Sequence, residues 1–400
     1  MTMPARLVPT AWLVPFAATL LAMFALQLSN LGFSPLLPSI QREFGMSYTQ
    51  LGTFTGMYGL LAMVLSVPAG LSAKRFGEKR VLGLGLLGVA AGSVLLGRAW
   101  SVESAMLFRG LTFFGYRFAF VSVLIAIALT APPALRGRTM GVLGATSALA
   151  SVIGAPVGGM LVREFTWRSA ILGYAAMAVL GAVVFWACYR PSNRDAVQAE
   201  GHTSTVGVRA NALVSPIVWM LALIVGLGGF GQFTVTNFVP SVAESLYHLD
   251  AAAAGGIIST GFLTAIGVNL LVGLLADRYD KLVVLGGLFV VLAVASASLA
   301  IGHLLAFRVA TAVVLGLGFT AANQLYGLAA SVMPRAEAAN AMGVVSLGAG
   351  LFGYFGPQML GILRDRTGSF AAGFYMVAIA DVLTLGLIVL LHRMTRRSGT

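Results

Sequence analysis

Charge is scarce in this chain, and negative charge is scarcest. Of 400 residues only 10% are charged, and just 13 are acidic. A soluble domain carries roughly 25% charged residues, so most of this chain is expected to sit in lipid. Cysteine is nearly absent: the lone Cys188 excludes an internal disulfide and has no metal-ligand companions. The four histidines, His202, His248, His303 and His392, fall in loops or at the ends of apolar runs. No metal site and no cofactor are therefore expected. There is no H-E-x-x-H, no G-x-S-x-G elbow and no phosphate-binding lysine loop, and the longest polar stretch is too short for a catalytic domain. Enzymatic chemistry has little support. The net charge of +12 could suggest nucleic acid, but the basic residues cluster in short loops between apolar runs, as in a membrane protein. The first apolar run is too long for a cleaved leader.

What is abundant is apolar sequence, at 58%, and glycine, at 49 residues. Glycine lets membrane helices approach closely. Twelve apolar runs are each long enough to cross a bilayer at roughly 20 residues per span. They cover 11–36, 48–72, 80–98, 103–130, 138–162 and 168–189, then 214–240, 252–276, 282–303, 308–332, 340–363 and 370–391. The expected fold is an all-α membrane protein of twelve spans in two six-helix bundles, 1–189 and 214–400. The polar stretch 190–213 is expected to link them in the cytoplasm. With both termini cytoplasmic, sixteen of the 25 basic residues fall inside and seven outside, while Arg109 and Arg117 lie within a span. That bias favours this orientation. A monomer in the inner membrane of a bacterium is expected.

The chain also repeats itself. Leu37-Pro38-Ser39-Ile40 recurs as Val239-Pro240-Ser241-Val242, and Met140-Gly141-Val142 as Met342-Gly343-Val344, each at an offset of 202. Arg163-Glu164-Phe165-Thr166 recurs as Arg364-Asp365-Arg366-Thr367 at an offset of 201. One offset at three places indicates two copies of a large unit in the same order. In so apolar a chain, tandem copies suggest a transporter whose halves rock about a central site.

Between the second and third spans lies Gly70-Leu71-Ser72-Ala73-Lys74-Arg75-Phe76-Gly77-Glu78-Lys79-Arg80. Between the eighth and ninth lies Gly273-Leu274-Leu275-Ala276-Asp277-Arg278-Tyr279-Asp280-Lys281. These resemble the two copies of the signature loop G-x-x-x-D-R-x-G-R-K of the major facilitator superfamily, and the resemblance spans essentially the whole chain. It implies a conformational latch built on Gly70, Lys74, Arg75, Gly77, Gly273, Asp277 and Arg278. The first copy departs from the pattern: Lys74 stands where the family usually has Asp, and Glu78 where it has a basic residue. The fifth span, with Gly141, Ala150, Gly154, Ala155, Pro156, Gly158 and Gly159, resembles a degraded form of the glycine pattern associated with exporters. Simple helix packing is its other reading.

The fourth span carries the chemistry. It holds Arg109, Tyr116 and Arg117. A charge inside a membrane helix normally faces a water-filled cavity or a partner. At 100° per residue, Tyr116 lies within about 20° of Arg109 and Arg117 about 80° round. In organic-anion members of the family, an acid often sits where this chain has Tyr116. Two arginines without an acid favour a bound anion, because guanidinium pairs bidentately with carboxylate. Of the acids only Asp381 falls mid-span, which makes it the one candidate proton carrier. By resemblance, the first, fourth, seventh and tenth helices line a cavity, so Gln27, Asn30, Gln232, Asn237, Asn323, Gln324 and Tyr326 are candidate substrate contacts, with Tyr58 and Tyr354 from the second and eleventh. The expected function is secondary transport of a small, carboxylate-like anion by alternating access, as proton symport or exchange. The alternative is efflux of drugs or metabolites.

Overall fold

The computed structural model describes residues 12–132, 135–190, 216–332 and 338–397, all within or between helices. The first span is made of two pieces, α1 (Leu13–Leu31) and α2 (Leu37–Phe44), joined through a 3-10 turn at Ser34–Leu36. Then follow α3 (Tyr48–Phe76), α4 (Glu78–Leu96), α5 (Val102–Thr130), α6 (Arg136–Glu164) and α7 (Trp167–Cys188). The second half comprises α8 (Pro216–Tyr247), α9 (Ala251–Arg278), α10 (Lys281–Ser298), α11 (Leu304–Val332), α12 (Ala338–Thr367) and α13 (Ala371–Arg397). Polar side chains start several of them. Ser47 and Ser101 form capping boxes, and Asp250 accepts from the Ala253 amide at 2.7 Å.

Eleven spans among the described residues are long and apolar enough to cross a membrane. The remaining run expected from the sequence, the eleventh at 340–363, is α12, 30 residues long. It falls outside that set because Ser346, Tyr354, Gln358 and several glycines dilute its hydropathy. Such a helix is tolerated in a membrane where protein surrounds it. The linker proposed for 190–213 lies outside the described residues except at Arg190.

Within the first half, α4 packs on α5 and α7, and α1 on α6 and α7. Within the second, α9 packs on α11, α10 on α13, and α8 on α12. Two large pairings join the halves, α3 with α12 and α6 with α9, and α2 with the 3-10 turn before it adds smaller contacts to α8 and α9. Both large pairings are close backbone contacts made where side chains are missing. A Cβ on Gly56 would stand 2.6 Å from the Tyr354 carbonyl oxygen, and one on Gly59 2.5 Å from that of Gly350. On the other pairing, Gly159 presses on the Ala251 carbonyl and Gly255 on that of Ala155. Ser259 adds a hydrogen bond to the Val152 carbonyl at 2.7 Å.

These contacts lie toward one end of the molecule, where α2 turns into α3 and α8 into α9. Charged groups reinforce this far end. Arg42 pairs with Glu244, its own counterpart at the 202 offset. Arg163 reaches Asp250 at 3.9 Å. Asp365, at the end of α12, accepts from the Tyr48 amide at 3.0 Å, the Thr49 amide at 2.8 Å and the Thr49 hydroxyl at 2.6 Å. A carboxylate from one half thus caps the first turn of a helix in the other.

At the near end, where α1 begins and α13 stops, the halves part. The buried residues of α3 run from Leu51 to Gly59 and then thin out to Ala69 and Ala73. Gly70, Gly141, Gly144, Gly267 and Gly273 have open space where a Cβ would go. Among the described residues the structure is closed at the far end and open at the near end.

The seam yields a prediction. Cysteines at Thr53 and Gln358, whose side chains meet at 3.4 Å, should cross-link readily in a Cys188→Ser background. Gly159→Leu, which drives a side chain into the Ala251 backbone, should slow that cross-link at least fivefold. An unchanged rate would show that the seam is not set by backbone contact.

Candidate functional site

The site begins with the break in the first span. The last four carbonyls of a helix have no partner within it, and α1 stops at Leu31 just ahead of Pro35 and Pro38. Into that interruption α5 directs Arg109. Its Nη1 donates to the Ser29 carbonyl at 3.4 Å. Its guanidinium lies 3.5 Å from the Phe33 ring centroid and 4.2 Å from that of Phe113. The residue is only 3% exposed. Its Nε has no hydrogen-bond partner, and no carboxylate among the described residues pairs with it. A desolvated cation held by two ring faces and one weak carbonyl contact keeps unspent donors.

A cavity opens beside it on the midline. Both halves line it: Asn30, Ser34, Thr55, Tyr58, Arg109 and Phe113 from one, Gln232, Phe233, Thr236, Asn237 and Gly353 from the other. Tyr58 lies at its centre, with its ring 5.6 Å from Phe113 and 6.0 Å from Phe233 across the divide. One cation, several amides and hydroxyls, and three aromatic faces line a small cavity of about 30 Å³, whose donors suit an anionic group once the halves move apart.

Of the residues expected to contact substrate, Asn30, Tyr58, Arg109, Gln232 and Asn237 come together here. Tyr116 and Gln27 lie one layer behind, where the Tyr116 hydroxyl donates to Gln27 Oε1 at 2.6 Å. Arg117 does not join Arg109. It turns to α3, where its Nε and Nη2 both donate to the Ser66 hydroxyl, the former at 3.0 Å. Tyr326, on α11, is partly buried and packs against the apolar core of the second half. Asn323 and Gln324 lie outside the set of residues lining the chamber. Tyr354 belongs to the seam, under Gly56. Asp381 is buried in α13, where it accepts from the Ser296 hydroxyl at 2.7 Å and faces Gly231 of α8.

Phe33, Thr55, Phe113 and Phe233 were not foreseen. Phe113 had a legible signal, since a residue four after Arg109 shares its face. Phe33 and Phe233 had none, because a phenylalanine in an apolar run looks like core.

The loop read as a latch shrinks. Lys74 and Arg75 occupy the last turn of α3, where cations suit the helix dipole. Gly77 alone, at φ 86°, links α3 to α4. Lys74 and Arg75 are exposed, Glu78 is buried and accepts from the Tyr189 hydroxyl at 3.3 Å. Arg278 ends α9 in the same way, exposed, and the side chain of Asp277 lies outside the described residues. Gly70 and Gly273 stand in open space.

Tyr116→Phe should leave Gln27 Oε1 without its donor in an apolar layer. A loss of about 1–3 kcal/mol is expected, read as a lower thermal unfolding midpoint of the purified protein. An unchanged midpoint would mean that Gln27 finds another donor.

The sequence and the fold resemble those of known proteins. The chain is 25% identical over 404 residues to a putative tartrate transporter of Agrobacterium vitis, covering 93% of this chain and 89% of that one. It is 25% identical over 381 residues to the 2-nitroimidazole transporter of Escherichia coli (strain K12), covering 93% of each. Its fold matches the structure of a bacterial homologue of the human lysosomal transporter Spinster, in an inward-facing and occupied conformation. That match has a TM-score of 0.79 at 16% identity, over 96% of this chain and 97% of the other. Residues 18–357 match the Major Facilitator Superfamily, so the chain is an integral membrane transporter and belongs to that superfamily.

Proposed function

We propose that this protein is a secondary transporter of a small organic anion, carrying a carboxylate or a similar group across the inner membrane of a bacterium. The observation that carries this reading is Arg109, buried beside a chamber shared by both halves, with no acid among the described residues to neutralise it. An anion that enters restores charge balance and fills the donors that Phe33 and Ser29 leave free. A cationic substrate would meet an unopposed positive charge in a medium that screens poorly. The name of the Agrobacterium vitis relative, a putative tartrate transporter, agrees with an anionic cargo.

The mechanism is alternating access. With both termini in the cytoplasm, the open near end faces the cytoplasm and the closed seam faces out. Substrate bound at Arg109 touches Asn30 and Tyr58 on one half and Gln232 and Asn237 on the other, so it can draw the near end together as the far end opens. Lys74, Arg75, Asp277 and Arg278 are then positioned to latch the closed near end. The protein acts as a monomer. Transport is coupled to protons or runs as exchange, and Asp381 is the proton carrier in the first case.

Two experiments test this. In reconstituted vesicles, Arg109→Lys, which keeps charge but loses the planar fork, should lower uptake of labelled tartrate or another small carboxylate at least tenfold. Arg109→Ala should abolish it, and full activity in Arg109→Ala removes the reading. Asp381→Asn should flatten the dependence of net uptake on an imposed pH gradient while leaving exchange intact. A pH dependence that survives the substitution excludes Asp381 as the carrier.

A further inference from the structure

Arg117 is a second unneutralised cation. It is half-buried, and its contacts are neutral: the Ser66 hydroxyl and the Phe120 ring, 5.7 Å away. The Ser66 hydroxyl itself donates to the Ala62 carbonyl, so its oxygen is held as an acceptor and carries no negative charge. Among the described residues no carboxylate pairs with Arg117. Eight residues separate it from Arg109, roughly 12 Å along the helix axis. The two side chains also diverge. Arg109 reaches back to α1 at Ser29 and Phe33. Arg117 reaches to α3 at Ser66, ten residues before that helix ends at Phe76 on the open side. A four-carbon dicarboxylate is shorter than two extended residues, roughly 7 Å, and cannot bridge that spacing.

We infer that Arg117, with Ser66, forms a separate anion station on the open side of the chamber, from which a carboxylate or sulfonate passes to Arg109. This rests on the reading of the protein as an anion transporter and divides its site in two. Ser66 engages Nε and Nη2, so Nη1 remains able to donate to an anion. Successive stations of moderate strength let an anion enter and leave without falling into one deep well. The second half has a phenylalanine, Phe319, at the position equivalent to Arg117, so the path runs along one bundle.

The test uses thiol chemistry on the purified full chain and needs no knowledge of the natural substrate. In a Cys188→Ser background, Ala62→Cys places a thiol one turn from Ser66. Its reaction with an anionic sulfonatoethyl methanethiosulfonate is compared with that of the trimethylammonium analogue, relative to the same pair on free cysteine. The anionic reagent should be favoured about tenfold, as expected for local charge steering. Arg117→Gln should erase the preference, and Arg117→Lys, which keeps the charge, should preserve it. Arg109→Gln should leave it within twofold. A preference indifferent to Arg117→Gln overturns the station. A preference lost equally in Arg109→Gln overturns the separation into two sites. Failure of carboxylate uptake in vesicles, by contrast, would count against the transport reading and would not alter these ratios.

Discussion

The two halves of this protein meet through backbone. Where α3 crosses α12 and α6 crosses α9, glycines remove the side chains that would hold the helices apart. Close approach of this kind is what drives helix association in lipid, where no hydrophobic force separates one apolar surface from another. Because these crossings are confined to the far end, the halves diverge from there, and the opening at the near end follows geometrically. The chamber sits where the divergence begins. Its place and its access depend on the seam.

The seam also shows how a repeat becomes a machine. A residue and its repeat counterpart meet only near the axis that relates the two copies. Arg42 and Glu244 are such a pair, 202 apart and in contact. Two identical charges there would repel, so the copies had to differ in sign at that point. The binding chamber breaks the symmetry further. The counterpart of Arg109 is Thr311 and that of Arg117 is Phe319. The first half holds both cations, and the second offers the amides of Gln232 and Asn237. An unpaired buried charge is costly. Here the cost is offset in part by Phe33 and Phe113 on the faces of Arg109 and by a carbonyl at the end of α1.

Much of this was legible in the residues. Span count, repeat and family resemblance follow from long-range patterns that survive drift, and Arg109 stands out because a charge in an apolar run has few innocent explanations. Other features depend on contacts that no spacing encodes. The first span was read as one run over 11–36, and both its break at Ser34–Leu36 and the role of that break as a seat for Arg109 need the fold. The glycines of α6 were read as one packing face, but the fold divides them: Gly154 and Gly158 lie against Gly32, while Gly159 meets α9 in the seam. Helical angle alone brought Arg117 to the border of the Arg109 face. A long side chain can turn either way from such a position, and Ser66 decides which.

The far end must part if the near end is to close, and its interactions suit that requirement. Asp365 and the ion pairs are exposed. Pairs of that kind contribute roughly 0–1 kcal/mol each, and when they separate, water takes up the freed amides of Tyr48 and Thr49. The glycine contacts are van der Waals and weak Cα–H···O=C contacts between backbones whose amides are already paired within each helix, and lipid or the opposing helix can replace them at small net cost. Neither class of interaction locks the molecule. A ligand can shift such an equilibrium only by its difference in affinity between the two states, and a soft seam keeps the required difference small. In the proposed cycle a chamber lined from both halves supplies that difference, with Arg109 on one side of the divide and Gln232 and Asn237 on the other.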